Sequence, residues 1–452
     1  MTRAAYRRRW RPTRYGLAAA IAAAVMLVSA ASSAVSLVAR DVPARATLFG
    51  LPAVALVAAA TYFGVRGLRE RGSDERRRDR VRAFVLLAVA MGLWLLVVDV
   101  FTFTQAAGTQ VALLCALACL PTTGFGLFVI RRLDRNEKEP WRLVLVAAAW
   151  GAVVSTSLVI WGESIWDYFA TRSLVPGPAL DASIAYSAGI FEELSKGLAV
   201  LLLYLVMRDE FDDVVDGIVY GAAVGLGFNF MESIAYMTHL YALFEAEGQG
   251  AATAAVQWYM RQVLGLFFGH ATYTALIGAA IGIARQLPGL GRRALCIFCG
   301  FLIAIAAHFA WDAWVQLYPV SQTPFAIVEV HLRTLFMEGP FTAVVLLLLA
   351  VGLQVEGTAL SRQLTEEARS GAGTVQPDEV GVLISPWRRF RARLARLHQG
   401  GLPAYLGLGH LQAAQLDLAM ERWHREREEI DEPLEAERLL RQRVLALRAA
   451  AG

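Results

Sequence analysis

The chain has 452 residues, of which 56% are hydrophobic, and its mean hydropathy is +0.46. This composition excludes an ordinary soluble domain and predicts a protein that crosses a membrane several times. The net charge of +4 is too small to indicate nucleic acid, and we expect no such partner. Only two of the 43 basic residues are lysines, Lys138 and Lys196, so a lysine within an apolar run is unusual here.

Ten apolar runs are long enough to cross a bilayer as helices. They lie at 16–39, 46–67, 82–104, 109–130, 143–162, 183–206, 214–238, 263–283, 294–316 and 335–354. We therefore predict an all-α fold, a polytopic membrane helix bundle of about ten transmembrane helices. The first run is too long for a typical cleaved signal peptide, so we interpret it as a retained anchor.

Arginine-rich segments alternate with segments that hold few basic residues. Arginines precede the first span and follow the second, fourth and eighth spans, whereas the loops at 105–110, 163–182 and 239–262 are poor in them. The positive-inside rule then predicts a cell-membrane protein with both termini in the cytoplasm. The segment 207–213 has one arginine and several acids, but acidic residues count little in this rule.

The character of the chain changes at about residue 355, where charged residues become dominant. The pattern beyond this point predicts a cytosolic tail of several helices. One of them, PWRRFRARLARLHQG from Pro386, is basic and amphipathic. It either lies on the anionic inner leaflet of the membrane or is a solvated helix, and the sequence does not favour one over the other.

Charged and polar residues interrupt four consecutive predicted spans. The sixth span has Glu192, Glu193 and Lys196, the seventh has Asn229 and Glu232, the eighth has His270, and the ninth has His308 and Asp312. An ionisable group at mid-membrane costs about 2.5–3.5 kcal/mol on insertion scales, so most such groups are functional or paired.

These residues share a depth when each is counted from the outer end of its span. At about 1.5 Å per residue, the acids and histidines lie roughly 9–15 Å from the outer surface. On the sixth helix, Lys196 falls between Glu192 and Glu193 in angle and can pair with either acid. On the ninth helix, His308 and Asp312 are four residues apart, so the carboxylate can orient the imidazole. A shared depth indicates one site that opens outward.

Structural explanations exist for each residue. An ion pair could account for part of the sixth-span group, and interhelical hydrogen bonds could account for Glu232 and the two histidines. The four cysteines, Cys115, Cys119, Cys296 and Cys299, are best interpreted as small packing residues.

Hydrolysis suits this set of side chains. A glutamate can take a proton from water as general base, and histidines can hold the water or stabilise an oxyanion. Alternatively, Glu232, His270 and His308 could bind a divalent metal such as zinc with an open position, so we name no certain cofactor. The sequence has neither the HExxH spacing nor a Gly-x-Ser-x-Gly motif.

Four motifs, in order, resemble those of the PrsW-type glutamic intramembrane protease family. EELSK, from Glu192, resembles its EExxK motif, and DGIVYGAAVGLGFNFMESIAY, from Asp216, resembles its second motif with Phe228 and Glu232. GHATYTALIG and HFAWD resemble its histidine motifs. The resemblance covers roughly residues 120–350. The PrsW family belongs to the wider superfamily of CAAX-processing and bacteriocin-processing membrane proteases.

The chain departs from those relatives at three positions. CAAX processors usually have arginine where Lys196 stands and histidine where Glu232 stands, which puts prenylated substrates in doubt. Many PrsW relatives have asparagine where Ser233 stands.

The resemblance implies an intramembrane endopeptidase that cleaves a membrane-anchored protein, such as an anti-sigma factor, near the outer face of the membrane. Glu192 or Glu193 would be the general base, and the other acid and Lys196 would tune it. Glu232, His270 and His308 would bind water or the scissile carbonyl, and Asp312 would support them.

Residues 131–354 would form the protease core, 1–130 accessory transmembrane helices, and 355–452 the charged cytosolic tail. Two other classes of protein remain possible from the sequence. An ion- or proton-coupled transporter also uses intramembrane acids and histidines, and a silent receptor or scaffold would keep the pocket closed to water.

Overall fold

The computed structural model describes residues 73–451, apart from 137, 208–210, 212, 318–324 and 429–434, and a few isolated positions before residue 73. The first two predicted spans, at 16–39 and 46–67, lie almost entirely outside these residues. The described part of the chain is helical and contains no strand, which confirms the all-α prediction.

Nine helices take the chain from residue 73 to residue 369. They are α1 (Ser73–Ala107), α2 (Thr109–Leu133), α3 (Trp141–Ser173, with a π-helical turn at Trp150–Ser155), α4 (Pro178–Val206), α5 (Val214–Phe244), α6 (Gly250–Trp258, followed by a π-helical turn at Tyr259–Leu264), α7 (His270–Gln286), α8 (Leu290–Leu317) and α9 (Ala326–Arg369).

Six of the described helices are long and apolar enough to cross a membrane. They contain the segments Leu86–Ala107, Thr109–Leu133, Trp141–Ser173, Val214–Phe244, Leu290–Val315 and Ala326–Arg369. The predicted span 183–206 is also helical, within α4, but it differs from the six in having three charged residues close together. These helices make the chain a multi-pass membrane protein.

The predicted span 263–283 is placed too early. The helix α7 begins only at His270, because Gly269 has a φ of +119° and breaks the preceding turn. Residues 239–262, expected to be a loop, are mostly helical: α5 continues to Phe244, and α6 with its π-helical turn follows. This change brings Arg261 onto a structured element, with consequences for the site.

Glycines allow α5 and α7 to pack at backbone distance. Every fourth residue along one face of α5 is a glycine whose missing Cβ would lie within 2.4 Å of an α7 carbonyl oxygen. The pairs are Gly217 with Gly278, Gly221 with Thr274, and Gly225 with His270. Any larger side chain on this face would push the two helices apart. These glycines therefore set the distance between α5, which carries Glu232, and α7, which carries His270.

The described chain divides into two compact units. The first comprises residues up to 131 together with 140–346, and the second comprises 132–139 and 347–452. The second unit contains the end of α9 and the helices α10 (Pro377–Leu383), α11 (Pro386–Glu428, interrupted at Gly400 and Gly401) and α12 (Glu435–Ala451). Leu360, Leu364, Leu383, Leu416 and Trp423 belong to its apolar core.

Candidate active site

Lys196 of α4 lies at the centre of a buried polar cluster in the first unit. Its Nζ is 2.6 Å from Oε1 of Glu193, 3.2 Å from Oε2 of Glu192 and 3.0 Å from Nδ1 of His270. The side chain of Lys196 has no exposed surface, and its ammonium also lies 4.3 Å from the centre of the Phe228 ring. Two carboxylates, an imidazole and an aromatic face thus compensate the buried positive charge.

Glu193 joins Lys196 to α8. Its Oε1 lies 3.0 Å from Nδ1 of His308, and its side chain is completely buried. The nearest partners of the other ring nitrogen of His308, Nε2, are Asp312 at 3.4 Å and Glu192 at 3.7 Å. His308 can therefore donate from Nδ1 to Glu193 while its Nε2 faces the remaining acids.

Glu192 lies between the two histidines. Its Oε2 is 3.5 Å from Nδ1 of His270 and 3.7 Å from Nε2 of His308, and the two rings are 5.2 Å apart at 80°. These separations are longer than direct hydrogen bonds, so Glu192 is loosely held by the histidines. A carboxylate in this position can act on a small molecule such as water between the rings.

Glu232 of α5 completes the cluster through His270. The Nε2 of His270 lies 2.6 Å from Oε2 of Glu232, which also pairs with Nη1 of Arg261 at 2.7 Å. An ammonium can only donate, so Nδ1 of His270 accepts from Lys196 and the ring proton lies on Nε2, facing Glu232. Lys196, His270, Glu232 and Arg261 thus form one chain of alternating donors and acceptors.

Exposure rises from one end of the cluster to the other. The side chains of Glu193 and Lys196 are fully buried, whereas that of Asp312 is 26% exposed and that of Arg261 is 21% exposed. The cluster is therefore most accessible on the side of Asp312 and Arg261.

All seven residues that the sequence singled out occur in this cluster. Four helices supply them: α4 (Glu192, Glu193, Lys196), α5 (Glu232), α7 (His270) and α8 (His308, Asp312). The structure thus brings together groups separated by up to 120 positions in the sequence. Asn229, also noted in the sequence, instead donates to the backbone oxygen of Arg261 at 3.1 Å.

Three further residues belong to the site and were missed by the sequence analysis. Arg261 lay in a segment expected to be a loop. Tyr273 stacks on His308, with ring centres 5.0 Å apart, and donates its hydroxyl to Glu338 of α9. Glu338 is buried and lies within the predicted span 335–354. The cost of an intramembrane charge, which identified the other acids, would have identified Glu338 too.

Gln262 holds the π-helical turn that carries Arg261 in place. Its amide nitrogen donates to the hydroxyl of Ser233 at 2.9 Å, and its amide oxygen accepts from Thr122 at 2.6 Å and from Thr123 at 3.2 Å. Gln262 is fully buried, so these bonds are protected from water. The network links the turn to α2 and α5 and thereby fixes the base of Arg261.

The donor set of the cluster suits a divalent metal in type and spacing. One ligand atom each from Glu192, Glu193, His270 and His308 can be chosen so that all lie within 4.8 Å of one another. The 3.5 and 3.7 Å separations from Glu192 to the histidine nitrogens approach the roughly 3.4 Å edge of a tetrahedron around zinc at about 2.1 Å. One oxygen of Glu193, Oε2, is buried without a hydrogen-bond partner in the described part of the chain.

Comparison with known proteins identifies the region that contains this cluster. Residues 139–351 match the family model described as "PrsW family intramembrane metalloprotease". Over this region the chain is similar to the PrsW family. All the site residues named above, except Thr122 and Thr123, lie within the match.

Three curated relatives agree with this assignment, and each is named Protease PrsW. The protein of Geobacillus kaustophilus (strain HTA426) is 28% identical over 184 residues, which are 41% of this chain and 71% of the relative. That of Bacillus subtilis (strain 168) is 27% identical over 142 residues, or 31% and 62%. That of Halalkalibacterium halodurans is 26% identical over 164 residues, or 35% and 67%. The relatives indicate a peptidase. No solved structure matches the chain.

Proposed function

We propose that this PrsW-family chain is an intramembrane endopeptidase that hydrolyses a membrane-anchored protein near the outer face of the membrane, with Glu192 activating the water. The observation that carries the proposal is the convergence of two acids, a lysine and two histidines, from three helices, on one buried point. The partly exposed side of the cluster would admit water and an unfolded segment of substrate.

The contacts favour Glu192 over Glu193 as the general base. Glu193 is committed to Lys196 at 2.6 Å and to His308 at 3.0 Å, and it has no exposed surface. Glu192 is held less closely and faces the gap between the histidines. A base must lie within hydrogen-bond reach of the water whose proton it takes, and Glu192 satisfies this condition for a water in that gap.

The other residues would prepare this step. Glu193 would hold Lys196 and orient His308 through its Nδ1, and Glu232 would hold the proton of His270 on Nε2. Nε2 of His308 would then accept a hydrogen bond from the water, and once protonated it would donate to the oxygen of the scissile carbonyl. Asp312, 3.4 Å from the same nitrogen, would stabilise the imidazole if it takes up a proton during the reaction.

The family description implies a metal, which Glu192, His270 and His308 would hold while Lys196 stayed paired with Glu193. When bound, such an ion lowers the pKa of a coordinated water. We therefore expect cleavage by a chelator-treated sample to distinguish the two mechanisms. Unchanged cleavage after metal removal supports glutamate-activated water, and loss that zinc restores supports the metal.

Two variants test the assignment of Glu192. Glu192→Gln should lower cleavage of a single-span substrate by about 10²–10⁴-fold, the usual contribution of a general base, and should lower the thermal midpoint less than Glu193→Gln does, because Glu192 is 3.2 Å from Lys196 and Glu193 is 2.6 Å from it. Glu193→Gln should instead lower the midpoint strongly, because breaking a buried ion pair costs about 3–5 kcal/mol. Full cleavage by the Glu192→Gln variant would contradict the role of Glu192 as base.

The substrate and topology also belong to this proposal. We infer from the resemblance that residues 131–354 are the protease core, with 1–130 as accessory helices, and that the substrate is a membrane-anchored protein such as an anti-sigma factor. Incubation of the purified enzyme in liposomes with a panel of single-span proteins tests the substrate class.

We also infer that both termini and the tail at 355–452 are cytoplasmic. A cysteine placed in the tail should then resist an impermeant thiol reagent in intact cells.

A further inference from the structure

The second unit contains an open groove that the proposed protease chemistry does not use. The groove has a volume of about 870 Å³ and lies between residues 354–369 of α9 and residues 381–388. Three arginines line it, Arg362, Arg369 and Arg388, with a single acid, Glu366. Hydroxyl groups of serine and threonine complete a polar lining, which is the chemistry that recognises phosphate.

An apolar face lies beside this groove at the start of α11. Trp387 is 65% exposed and Phe390 is 42% exposed, and their rings lie 5.8 Å apart. With about 100° per residue, Leu394 and Leu397 continue the same face, Arg391 borders it, and Arg388 lies about 100° away from Trp387, where it lines the groove. Exposed aromatic residues next to arginines are typical of helices that lie in the interface of a membrane.

Hydrogen bonds tie this face to a point where the chain leaves an apolar span. Arg389 is buried and donates to the backbone oxygens of Leu383 at 2.7 Å and of Arg135 at 2.8 Å. Arg135 follows the end of α2, at Leu133, by only two residues, which reach at most about 7 Å. The start of α11 is therefore held close to the end of a membrane-spanning helix.

A second hydrogen bond holds the end of the apolar run of α9 close to the same segment. Asn136 donates to Oε2 of Glu356 at 3.0 Å, and Glu356 follows the last residue of the apolar run 335–354 by two positions. The groove itself begins at Gln354, where that run ends. Both the groove and the apolar face thus adjoin chain positions where apolar runs end.

We propose that this groove and the Trp387–Phe390 face bind the surface of an anionic phospholipid bilayer, with lipid phosphate groups in the groove. Arg369 and Arg388 supply the charge complementarity, since Arg362 is paired with Glu426, and the aromatic rings enter the headgroup region. Near an anionic surface, each arginine contributes roughly fivefold to association, so loss of two should remove most of the preference for anionic lipid.

Brominated lipids can test this proposal on the full-length chain in nanodiscs. A fluorophore is attached to Phe390→Cys in a background whose four native cysteines are replaced, and to Ala413→Cys, an exposed position on the same helix, as control. At equal bromine content, brominated phosphatidylglycerol should quench the label at 390 several-fold more than brominated phosphatidylcholine. The label at 413 should be quenched little by either lipid.

Charge variants then identify the groove as the source of the preference. Arg369→Gln combined with Arg388→Gln should abolish the excess quenching by the anionic lipid. The matched control, Arg438→Gln with Arg443→Gln, removes two exposed arginines of α12 and should leave the excess unchanged.

Either of two results would overturn the proposal. One is a label at 390 that is no more quenched than the label at 413. The other is a loss of the lipid preference with inorganic phosphate but not with sodium chloride at equal ionic strength, which would identify a site for a small anion.

Discussion

Replacing Gly225 with alanine should damage the site without touching any of its polar side chains. The new Cβ would lie 2.2 Å from the backbone oxygen of His270, whereas an ordinary contact needs at least 3.4 Å. Because the obstacle is a backbone atom at the start of α7, the helix must move by about 1.2 Å. That movement would carry the His270 ring away from Lys196 and Glu232.

The magnitude follows from two opposing effects. Overpacking of a close-packed interior costs typically about 1–3 kcal/mol, and alanine recovers at most about 1 kcal/mol of helix propensity over glycine. The net effect should be a lower thermal midpoint. A misplacement of about 1 Å can lower an enzymatic rate by about 10²-fold, so cleavage should fall more than stability.

The assay combines thermal unfolding in detergent with cleavage of a single-span substrate in liposomes. Gly124→Ala on α2 is the matched control, since no atom lies within 4 Å of its added Cβ. It should leave both measurements near those of the unmodified chain. A Gly225→Ala variant that kept its thermal midpoint and its cleavage rate would refute the claim that this glycine sets the helix distance.

Three further predictions concern other parts of the chain. Tyr273→Phe should lower cleavage about tenfold, because Glu338 loses its hydrogen bond and the ring on His308 is less firmly held. Adding Glu338→Gln to this variant removes the carboxyl group that lost its partner and should recover part of the rate. Gln262→Leu should lower both cleavage and thermal midpoint, whereas a surface substitution such as Arg443→Gln should change neither. In the second unit, burial alone would raise the pKa of Glu379, but hydrogen bonds from Arg448 and the backbone of Gln376 outweigh it and hold this pKa below its usual range. The stability from Glu379 is therefore present above the usual glutamate pKa and lost as the pH falls through the lowered value. The protection of α10 amides against hydrogen exchange, measured relative to the intrinsic rate at each pH, should fall on acidification, and Glu379→Gln should remove that dependence.

The polar residues of the site could be predicted because a bilayer makes charge costly. Glu192, Glu193 and Lys196 stand out in an apolar run, and the histidines and Glu232 stand out in the neighbouring runs for the same reason. The lengths of the apolar runs also predicted the six spans that the described helices contain, although α7 begins later than expected because of the positive φ of Gly269.

What the sequence could not provide was the identity of partners on distant helices. Arg261 reaches Glu232 only because a π-helical turn, held by Gln262, replaces an expected loop. The pairing of Tyr273 with Glu338 depends on how α7 and α9 meet, which no local pattern encodes. The close approach of α5 and α7 follows from glycines that in isolation indicate only flexibility.

Because the chain has so few lysines, chemical labelling of lysine can detect opening of the buried cluster. Lys138 is exposed and Lys196 is fully enclosed, and these are the only two lysines in the sequence. An amine-reactive reagent applied to the folded enzyme should therefore modify Lys138 and spare Lys196. Modification at Lys196 would occur only in molecules in which the helices around it have separated. Mass spectrometry of the peptide that contains Lys196 would therefore measure the fraction of molecules in this open state. The measurement needs neither a mutation nor knowledge of the substrate.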